Sequence, residues 1–431
     1  MYKKSKMFGA ITALCLLFPA PSHGAELSLK NAVNQATSSN SSLAGMFSQA
    51  QAMAEMPAQA GSLPDPVLSL NAMNLPIDSF SATQENMTQM QIGLSQALPY
   101  PGKLGLRRKA ASFEAQAAAL DANEMHLILI RNVQMNWWNL FYIDRAVSIV
   151  ERNQQLLRQL IQVAETKYKT GQGLQSDVLL AQVELSRLLD VKISLKASRK
   201  IQLAGLNALL NRPAMTAAEL PQTVDETLPA NPDKTLILKQ ALQSRPILAS
   251  QQHMLRAAET RIRLAEKDYY PDFKLATTYG LRNGYNPASR SSRADFASIK
   301  LSMTLPFFTS GKQDGALAQR KAEAARQTFS LQDKHTQVDA EIEQALAAYA
   351  AASEQALLFK SGIIPQASQT VASMLAAYQV NKVDFLNLVR AQITLYNYET
   401  QYWKAFSSGW QAWARLEAAV GVPIAKGANN E

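Results

Sequence analysis

The sequence predicts a mixed fold, part membrane β-barrel and part long α-helical barrel, built as a tandem structural repeat with four strands and long coiled helices in each chain. Three observations predict this class. Motifs of the first half recur in the second half, four segments alternate apolar and polar residues over a bilayer-spanning length, and no proline occurs between Pro101 and Pro213. An uninterrupted stretch of that length indicates helices far longer than those of ordinary globular proteins.

The chain reads as a duplication. LSLKNAV at 27–33 resembles LILKQAL at 236–242, and near the end of each half identical residues recur at an ungapped offset of 210 positions. The first-half residues are Tyr168, Ala181, Gln182, Leu185, Ala204, Leu206 and Pro213, and the matching residues are Tyr378, Ala391, Gln392, Leu395, Ala414, Leu416 and Pro423. A proline-containing linker lies near 214–234. We therefore expect repeat 1 over 25–230 and repeat 2 over 231–431, each with a helix, a strand pair and a long helix pair.

The strand-like segments lie in two pairs, which we predict over 67–98 and 273–305. In the first pair, Met90, Ile92 and Leu94 alternate with polar or small residues, which is the period of a strand with one apolar face. Each segment has the length of a strand that crosses a bilayer at a tilt. Four strands are too few to close a barrel, and an open edge in lipid would leave backbone groups unpaired. We therefore expect several identical chains to pool their strands, and three copies would supply twelve.

A long helix pair follows each strand pair, and we predict these helices over 103–212 and 312–421. Their apolar residues keep the three-and-four spacing of coiled coils, as at Leu174, Val178 and Ala181. An ordinary helical bundle is the alternative. Rigid or turn-forming residues mark each change from strand to helix, namely Pro99, Pro101 and Gly102 in repeat 1 and Pro306 and Gly311 in repeat 2.

The N-terminus has the features of a secretory signal peptide over 1–24. Three lysines precede a short apolar stretch, and cleavage is expected after Gly24. Cys15 is the single cysteine, so the processed chain would have no disulfide or thiol chemistry, and lipidation at Cys15 is an open alternative.

The formal net charge of +9 is spread along the chain rather than clustered with aromatic residues, which argues against nucleic-acid binding. After the signal peptide, no apolar run is long enough for a transmembrane helix.

No arrangement of residues predicts an enzyme. His126, His253 and His335 are far apart, and none has a histidine or carboxylate at metal-ligand spacing. Met46 and Met53, with Met56, share one stripe of a predicted helix, and thioethers do bind soft Cu(I). Methionines at helical spacing are nevertheless more often core residues, so core packing is the favoured interpretation. The sequence therefore predicts no cofactor and no metal site.

Short motifs in both halves resemble those of the TolC-type outer-membrane factors, the outer membrane efflux protein family. The general family motif is Tyr168-x-x-Gly171 followed by Asp177-Val178-Leu179-x-Ala181-Gln182. Other motifs are most like the heavy-metal efflux (CusC/CzcC-like) branch, namely Leu63-Pro64-Asp65-Pro66, Tyr100-Pro101-Gly102-Lys103-Leu104 and the stretch from Tyr378 to Leu386. The resemblance covers essentially the whole mature chain.

The resemblance implies a homotrimer that forms a twelve-stranded barrel in the outer membrane of a Gram-negative bacterium and continues as a helical tunnel in the periplasm. Such a protein is the passive exit duct of a tripartite efflux pump and is not an enzyme. Its implied partners are a periplasmic adaptor (membrane fusion) protein, an inner-membrane transporter of the resistance-nodulation-division (RND) type and outer-membrane lipid. The implied substrates are heavy-metal cations. A duct for drug efflux or type I secretion is one alternative, and a periplasmic coiled-coil scaffold or adaptor without a pore is another.

The resemblance also implies roles for two helix–turn–helix tips at 170–174 and 380–384. The residues expected to dock the adaptor are Gly171, Gly173 and Leu174 in the first tip and Asn381, Lys382 and Val383 in the second. The candidate pore-gate residues are Asp177, Asp384, Asn387 and Arg390. Because Asn387 and Arg390 stand where the family often has aspartates, a ring of Arg390 side chains would repel cations and attract anions. Asp177 and Asp384 are candidate partners for Arg390 or Lys382, and the alternative is that these charges are solvated helix faces.

The loops that join the paired strands are expected to face outside. The second loop holds Arg282, Arg290 and Arg293, which would fringe the exit or bind anionic lipopolysaccharide.

Overall fold

A computed structural model describes residues 26–424. The signal peptide predicted over 1–24, with Cys15 in it, lies outside the described residues. Two halves of the same build follow one another, and each contains a pair of shorter helices, a strand hairpin and a long helical pair joined by a tight turn. The predicted class, long helices with a small antiparallel sheet in a tandem repeat, is confirmed.

Repeat 1 contains α1 (Leu29–Ser39), α2 (Ser41–Ala60), β1 (Val67–Met73), β2 (Gln89–Leu98), α3 (Lys103–Lys169) and α4 (Gln175–Leu209). Repeat 2 contains α5 (Lys234–Ser244), α6 (Pro246–Glu266), β3 (Phe273–Leu281), β4 (Phe296–Met303), α7 (Gln313–Leu358), α8 (Ile364–Gln379) and α9 (Phe385–Val420). Within 26–424, no helix combines the length and the apolar character needed to cross a membrane.

Two helices open each repeat where the sequence predicts one. In repeat 1 the chain leaves the helical conformation at Asn40, whose side-chain oxygen then accepts a hydrogen bond from the Leu43 N–H (3.0 Å) and caps α2. In repeat 2 the break is at Arg245, which precedes Pro246. A residue before proline is pushed out of the α region by steric clash with the ring, so the break follows from the sequence although the pattern of apolar residues does not reveal it.

The first long helix of repeat 2 is interrupted, unlike its counterpart α3, which runs for 67 residues. One turn of π-helix, Phe359–Ile363, separates α7 from α8. Pro365 lies in the first turn of α8. Because proline has no N–H and its ring crowds the carbonyl one turn earlier, the wider turn accommodates it without ending the helical arm.

The four strands form one antiparallel sheet in the order β1-β2-β3-β4. Each hairpin belongs to one repeat, and β2 joins them by pairing with β3 from Met90–Leu281 to Leu98–Phe273. The strands lie within the predicted pairs 67–98 and 273–305, with β4 ending at Met303, two residues before the predicted end of the second pair.

One face of this sheet carries apolar side chains that are largely exposed in the single chain. Facing residues across the strands include Leu70, Ile92 and Tyr279, with Leu68 and Leu94 in the next row. Between 47% and 75% of each of these five side chains is exposed. The opposite face carries Ser69, Gln91, Thr278 and similar polar or small residues. A sheet with an apolar outer face and a polar inner face matches the alternation expected of strands that separate lipid from water.

The largest core lies where α3 meets α9 and contains most of the tryptophans. Trp138 stacks on Trp410 with ring centroids 5.3 Å apart, and Trp137 stacks on Phe141 at 5.6 Å. The buried Trp137 indole N–H donates to the Leu27 carbonyl (2.8 Å). This aromatic cluster joins the two repeats, because α3 belongs to the first and α9 to the second. These aromatic residues therefore serve packing between helices.

Candidate functional site at the helix tips and the strand–helix junction

The two tips of the long helical pairs have the same turn. In the first tip the Gly171 N–H donates to Tyr168 O (3.0 Å) and the Gln172 N–H to Lys167 O (2.8 Å). In the second tip, 210 residues later, the Asn381 N–H donates to Tyr378 O (3.2 Å) and the Lys382 N–H to Ala377 O (2.9 Å). Gly171 has a φ of +72° and Asn381 a φ of +57°, so both lie in the left-handed region. Asparagine reaches that region at lower cost than most side chains, which explains why the second tip keeps the turn without glycine.

The tips differ in the side chains that fill the turn. A Cβ added at Gly173 would lie 3.0 Å from the Lys167 Cβ and 3.2 Å from the Tyr168 N, so a side chain there would press on the end of α3. The corresponding residues of the second tip are Val383 and Ala377. The second tip therefore has valine where the first has glycine and alanine where the first has lysine.

Lys167 connects the two tips. Its ammonium group donates to Tyr378 O (2.6 Å) and to Asn381 Oδ1 (2.5 Å), and it lies 4.3 Å from the centroid of the Tyr378 ring. Sequence reasoning missed this residue. The only sequence signal is that Lys167 has no cationic counterpart in repeat 2, where Ala377 occupies the same position.

Tyr378 is the buried residue of the second tip, with 4% of its surface exposed. Its ring packs 5.3 Å from that of Phe385, and burial, followed by the nearby charge of Asp177, raises the pKa of its hydroxyl. A neutral Tyr378 can therefore lie beside the Lys167 ammonium without adding a second charge to the tip.

The candidate gate residues lie near the beginnings of α4 and α9. Asp177 is half-buried in the first turn of α4, whereas Asp384, Asn387 and Arg390 are exposed in the single chain. Within residues 26–424, neither aspartate forms an ion pair or hydrogen bond with Arg390 or Lys382 through its carboxylate, so the suggested pairings are not made. For Asp177 the physical reason is that α4 and α9 make few direct contacts with each other, and the Arg390 side chain is exposed.

Farther from the tip than Arg390, polar contacts connect α3 with α9. The Gln392 side-chain amide donates to Asn153 Oδ1 (2.7 Å), and Arg152 forms an ion pair with Glu399 (2.8 Å). These contacts hold the helix that carries Arg390 against the first repeat.

The junction between β2 and α3 is built around Asp272. This carboxylate, just before β3, accepts the Tyr100 N–H (2.7 Å) and the Lys103 ammonium (3.0 Å), and Lys103 also contacts Asp268 (2.9 Å). Only 3% of the Lys103 side chain is exposed. Burial by itself would raise the pKa of Asp272, but the hydrogen bonds from Tyr100 and Lys103 and the cationic charges of Lys103 and Arg107 outweigh it and lower the pKa.

The proline and glycine residues predicted for the junctions lie between strand and helix in both repeats. Gly102 has a φ of +92° and directly precedes α3. Gly311 has no such conformation, and Lys312 caps α7 instead. The second junction, 304–312, is five residues longer than the first, 99–102, so the chain has more residues over which to turn without a left-handed one.

Two of the three loop arginines hold the outer loops together. Arg293 is buried and donates to Thr83 O (3.2 Å), Glu85 O (3.0 Å) and Asn86 Oδ1 (2.8 Å) of the other hairpin loop. Arg282 donates to Asn86 O (2.6 Å) and lies over the Phe296 ring. Of the three, only Arg290 is exposed, and it alone stays available to fringe the exit or to bind anionic lipopolysaccharide.

Met46 and Met53 are half-buried along a cleft between α2, α3 and α6, and Met56 is exposed, so the stripe is only partly in the core. Among the residues that the structure describes, no cluster of three or more His, Cys, Asp or Glu side chains is arranged to hold a metal ion. Of the histidines, His253 packs near the Phe113 ring, and burial lowers its pKa.

Comparison with known proteins identifies the architecture. The model of the outer membrane efflux protein family matches the chain twice, over 32–212 and 237–422. The cobalt-zinc-cadmium resistance protein CzcC of Cupriavidus metallidurans is 21% identical over 414 residues, covering 95% of this chain and 93% of CzcC.

Solved structures give the same result for the fold. The outer membrane protein VceC of Vibrio cholerae superposes with a TM-score of 0.76 at 18% identity, covering 91% of this chain and 96% of VceC. CusC superposes with a TM-score of 0.75 at 17% identity, covering 91% of this chain and 92% of CusC. The resemblance inferred from the sequence motifs is confirmed, and the absence of catalysis follows from the family, whose members are passive channels. The chain, with its two matched repeats, belongs to the outer membrane efflux protein family and is an outer-membrane efflux duct.

Proposed function

We propose that three copies of this chain form the exit duct of a tripartite pump that exports heavy-metal cations from the periplasm. The observation that carries this proposal is the similarity to CzcC along almost the whole of both chains, since CzcC is named for resistance to cobalt, zinc and cadmium. The sheet with one apolar face supports a place in the outer membrane of a Gram-negative bacterium, with the long helices extending into the periplasm.

The two tips are the proposed docking surface for a periplasmic adaptor protein, which would connect the duct to an RND-type transporter. Both tips end in the same compact turn and expose apolar side chains, with Leu174 67% and Val380 63% exposed. Exposed apolar groups at the end of a long rigid helical pair suit a protein partner. Gly171, Gly173, Asn381, Lys382 and Val383 would complete that surface.

A photo-crosslinking amino acid at Leu174 or Val383 tests the docking surface in cells. We expect both positions to capture the adaptor, whereas the exposed Ile193, far along α4 from the tip, serves as the control and should capture none. Capture from Ile193 alone would contradict docking at the tips.

The substrate is tested by deleting the gene and measuring growth with cobalt, zinc or cadmium salts and, separately, with hydrophobic antibiotics. We expect greater metal sensitivity that the wild-type gene restores and unchanged antibiotic sensitivity. Antibiotic sensitivity alone would favour the drug-efflux alternative, and loss of a secreted protein would favour type I secretion.

A periplasmic coiled-coil scaffold without a pore is disfavoured by the sheet, because a soluble scaffold would expose Leu70, Ile299 and Leu301 to water (63–81% of each side chain). Extraction of cell membranes with alkali separates the two ideas, since a scaffold would be released and a barrel protein would stay in the membrane.

A further inference from the structure

The outer edges of the four-stranded sheet have no partner within the described residues. β1 and β4 each pair on one side only, and almost every side chain of β4 is exposed. In lipid, each unpaired backbone group would cost several kcal/mol. Further strands must therefore pair with both edges.

The two hairpins have the same register. In the first, Val67 faces Ser95, Leu68 faces Leu94 and so on to Met73 opposite Gln89. Adding 207 to both numbers of each of these pairs gives a pair of the second hairpin, from Lys274–Ser302 to Gly280–Phe296. The two hairpins are thus equivalent in their detailed pairing as well as in their order along the chain.

The junction motifs beside the strands recur at nearly the same offset. Pro64-Asp65 stands before β1 as Pro271-Asp272 stands before β3, and Leu305-Pro306 follows β4 as Leu98-Pro99 follows β2. Lys312 opens the second helical arm as Lys103 opens the first.

The motifs after β2 and before β3 contact each other within the chain, whereas the equivalent motifs after β4 and before β1 do not. Lys103 is buried against Asp272, and the Tyr100 and Tyr270 rings stack 4.6 Å apart. Their equivalents are Lys312 with Asp65 and Phe307 with Leu63. Among residues 26–424, the charged groups of Lys312 and Asp65 have no hydrogen-bond or ion-pair partner, and Phe307 is 77% and Leu63 53% exposed.

We propose that these free residues bind a second copy of this chain through the same contacts that β2 and β3 make within the chain, so that Asp65 receives Lys312 of the partner subunit as Asp272 receives Lys103. The proposal rests on the trimeric duct proposed above and specifies how its subunits join. The register of β2 with β3, shifted by 207 residues, places Leu70 opposite Leu301 of the partner subunit, as Thr277 is opposite Leu94. On this register the apolar side chains of both strands lie on the lipid face.

Cysteine crosslinking tests this register, since facing residues of antiparallel strands have Cα atoms about 4.5–5.5 Å apart, within disulfide range. We expect the double variant L70C/L301C, oxidised with copper phenanthroline in purified outer membranes, to give covalent dimers and trimers that a reducing agent returns to monomers.

Matched variants make the result specific. L94C/T277C, at the equivalent site within one chain, should form a disulfide without any change in the number of linked chains. The single variants L70C and L301C and the pair L70C/I299C, which is two residues out of register, should give little intermolecular product. Strong crosslinking of L70C/I299C in place of L70C/L301C would overturn the register.

Native mass spectrometry of the same samples tests the trimeric state separately from the register of the strands between subunits. Trimers without a crosslink from L70C/L301C would overturn the register and leave the trimeric duct standing, whereas monomers would remove both.

Charge reversal gives a second measurement. D65K should reduce the heat resistance of the trimer in detergent, and D65K/K312D should restore it, while failure of the double variant to restore heat resistance would overturn the Asp65–Lys312 contact.

Discussion

The ammonium group of Lys167, near the end of α3, donates to Asn381 Oδ1 across 2.5 Å and so ties the tip of repeat 1 to the tip of repeat 2. The position equivalent to Lys167 in repeat 2 is Ala377, which has no group to make such a bond with the next copy. In a ring of three chains, the tips would therefore be linked in pairs by this contact, with unlinked boundaries between the pairs.

The substitution Lys167→Ala should loosen the tips. It removes two charged hydrogen bonds and a cation–π contact, together about 1–3 kcal/mol after allowing for partial exposure. We expect the purified trimer in planar lipid bilayers to conduct more than the wild type. Lys169→Ala, which removes an exposed lysine two residues away, is the control, and equal conductance of K167A and wild type would refute the role of Lys167.

Asn381 has a second role, which is to hold the left-handed turn. Asn381→Ala should destabilise the tip by about 1 kcal/mol because of the positive φ, whereas Asn381→Gly should keep the turn. Both variants lose the acceptor for Lys167. Limited proteolysis of the tips distinguishes the loss of the turn from the loss of the hydrogen bond with Lys167, since only N381A should become markedly easier to cleave. Equal cleavage of N381G and N381A would contradict the argument from the positive φ.

The Glu124–Arg245 ion pair is buried, with 6% and 5% of the residues exposed, and it joins α3 to the break between α5 and α6. Glu124→Ala would leave the Arg245 guanidinium without its main partner, and we expect a loss of about 3–5 kcal/mol in the free energy of unfolding. Glu184→Ala removes a more exposed pair with Arg187 and should cost less than about 1 kcal/mol. Thermal unfolding in detergent compares them, and similar losses in both would contradict the argument from burial.

Asp272 should make stability depend on pH at the acid end. Its pKa in the folded protein is below the ordinary value of 3.8, so the ionised carboxylate stabilises the fold above that value, and the stabilisation is lost as the pH falls through the lowered pKa. We expect Asp272→Asn to unfold more easily than wild type near neutral pH and the difference to shrink below pH 3.8. Asp78→Asn, in the outer loop, is the control. A difference that grows with acidity would contradict this assignment.

Arg390 should influence ion selectivity if three copies surround the pore mouth. We expect Arg390→Asp to shift the reversal potential of the trimer in a salt gradient toward cation preference, because it exchanges three positive charges for three negative ones. Arg390→Lys keeps the charge and should leave the selectivity near that of wild type. An unchanged reversal potential for R390D would place Arg390 on a solvated helix face away from the pore.

Much of this architecture can be read from the chain itself. The alternation of Met90, Ile92 and Leu94, the proline-free stretch after Pro101 and the offset of 210 between Tyr168 and Tyr378 are local or periodic features. Such features predict strands, long helices and a duplication directly, because strand and helix periods depend on backbone geometry alone. The breaks at Asn40 and Arg245 escaped that reasoning because they interrupt a helical pattern without removing its apolar period.

The sequence by itself determined the family, the four strands, the long helical arms and the positions of both tip turns, since each depends on residues close together in the chain. Only the tertiary structure decided which charges meet. In the chain, 214 residues separate Lys167 from Asn381, and 169 residues separate Lys103 from Asp272. No local sequence pattern predicts contacts between residues so far apart. The same reason applies to Asp177 and Arg390, which were candidate partners in the sequence and remain apart, because contact between distant charges depends on how whole helices pack.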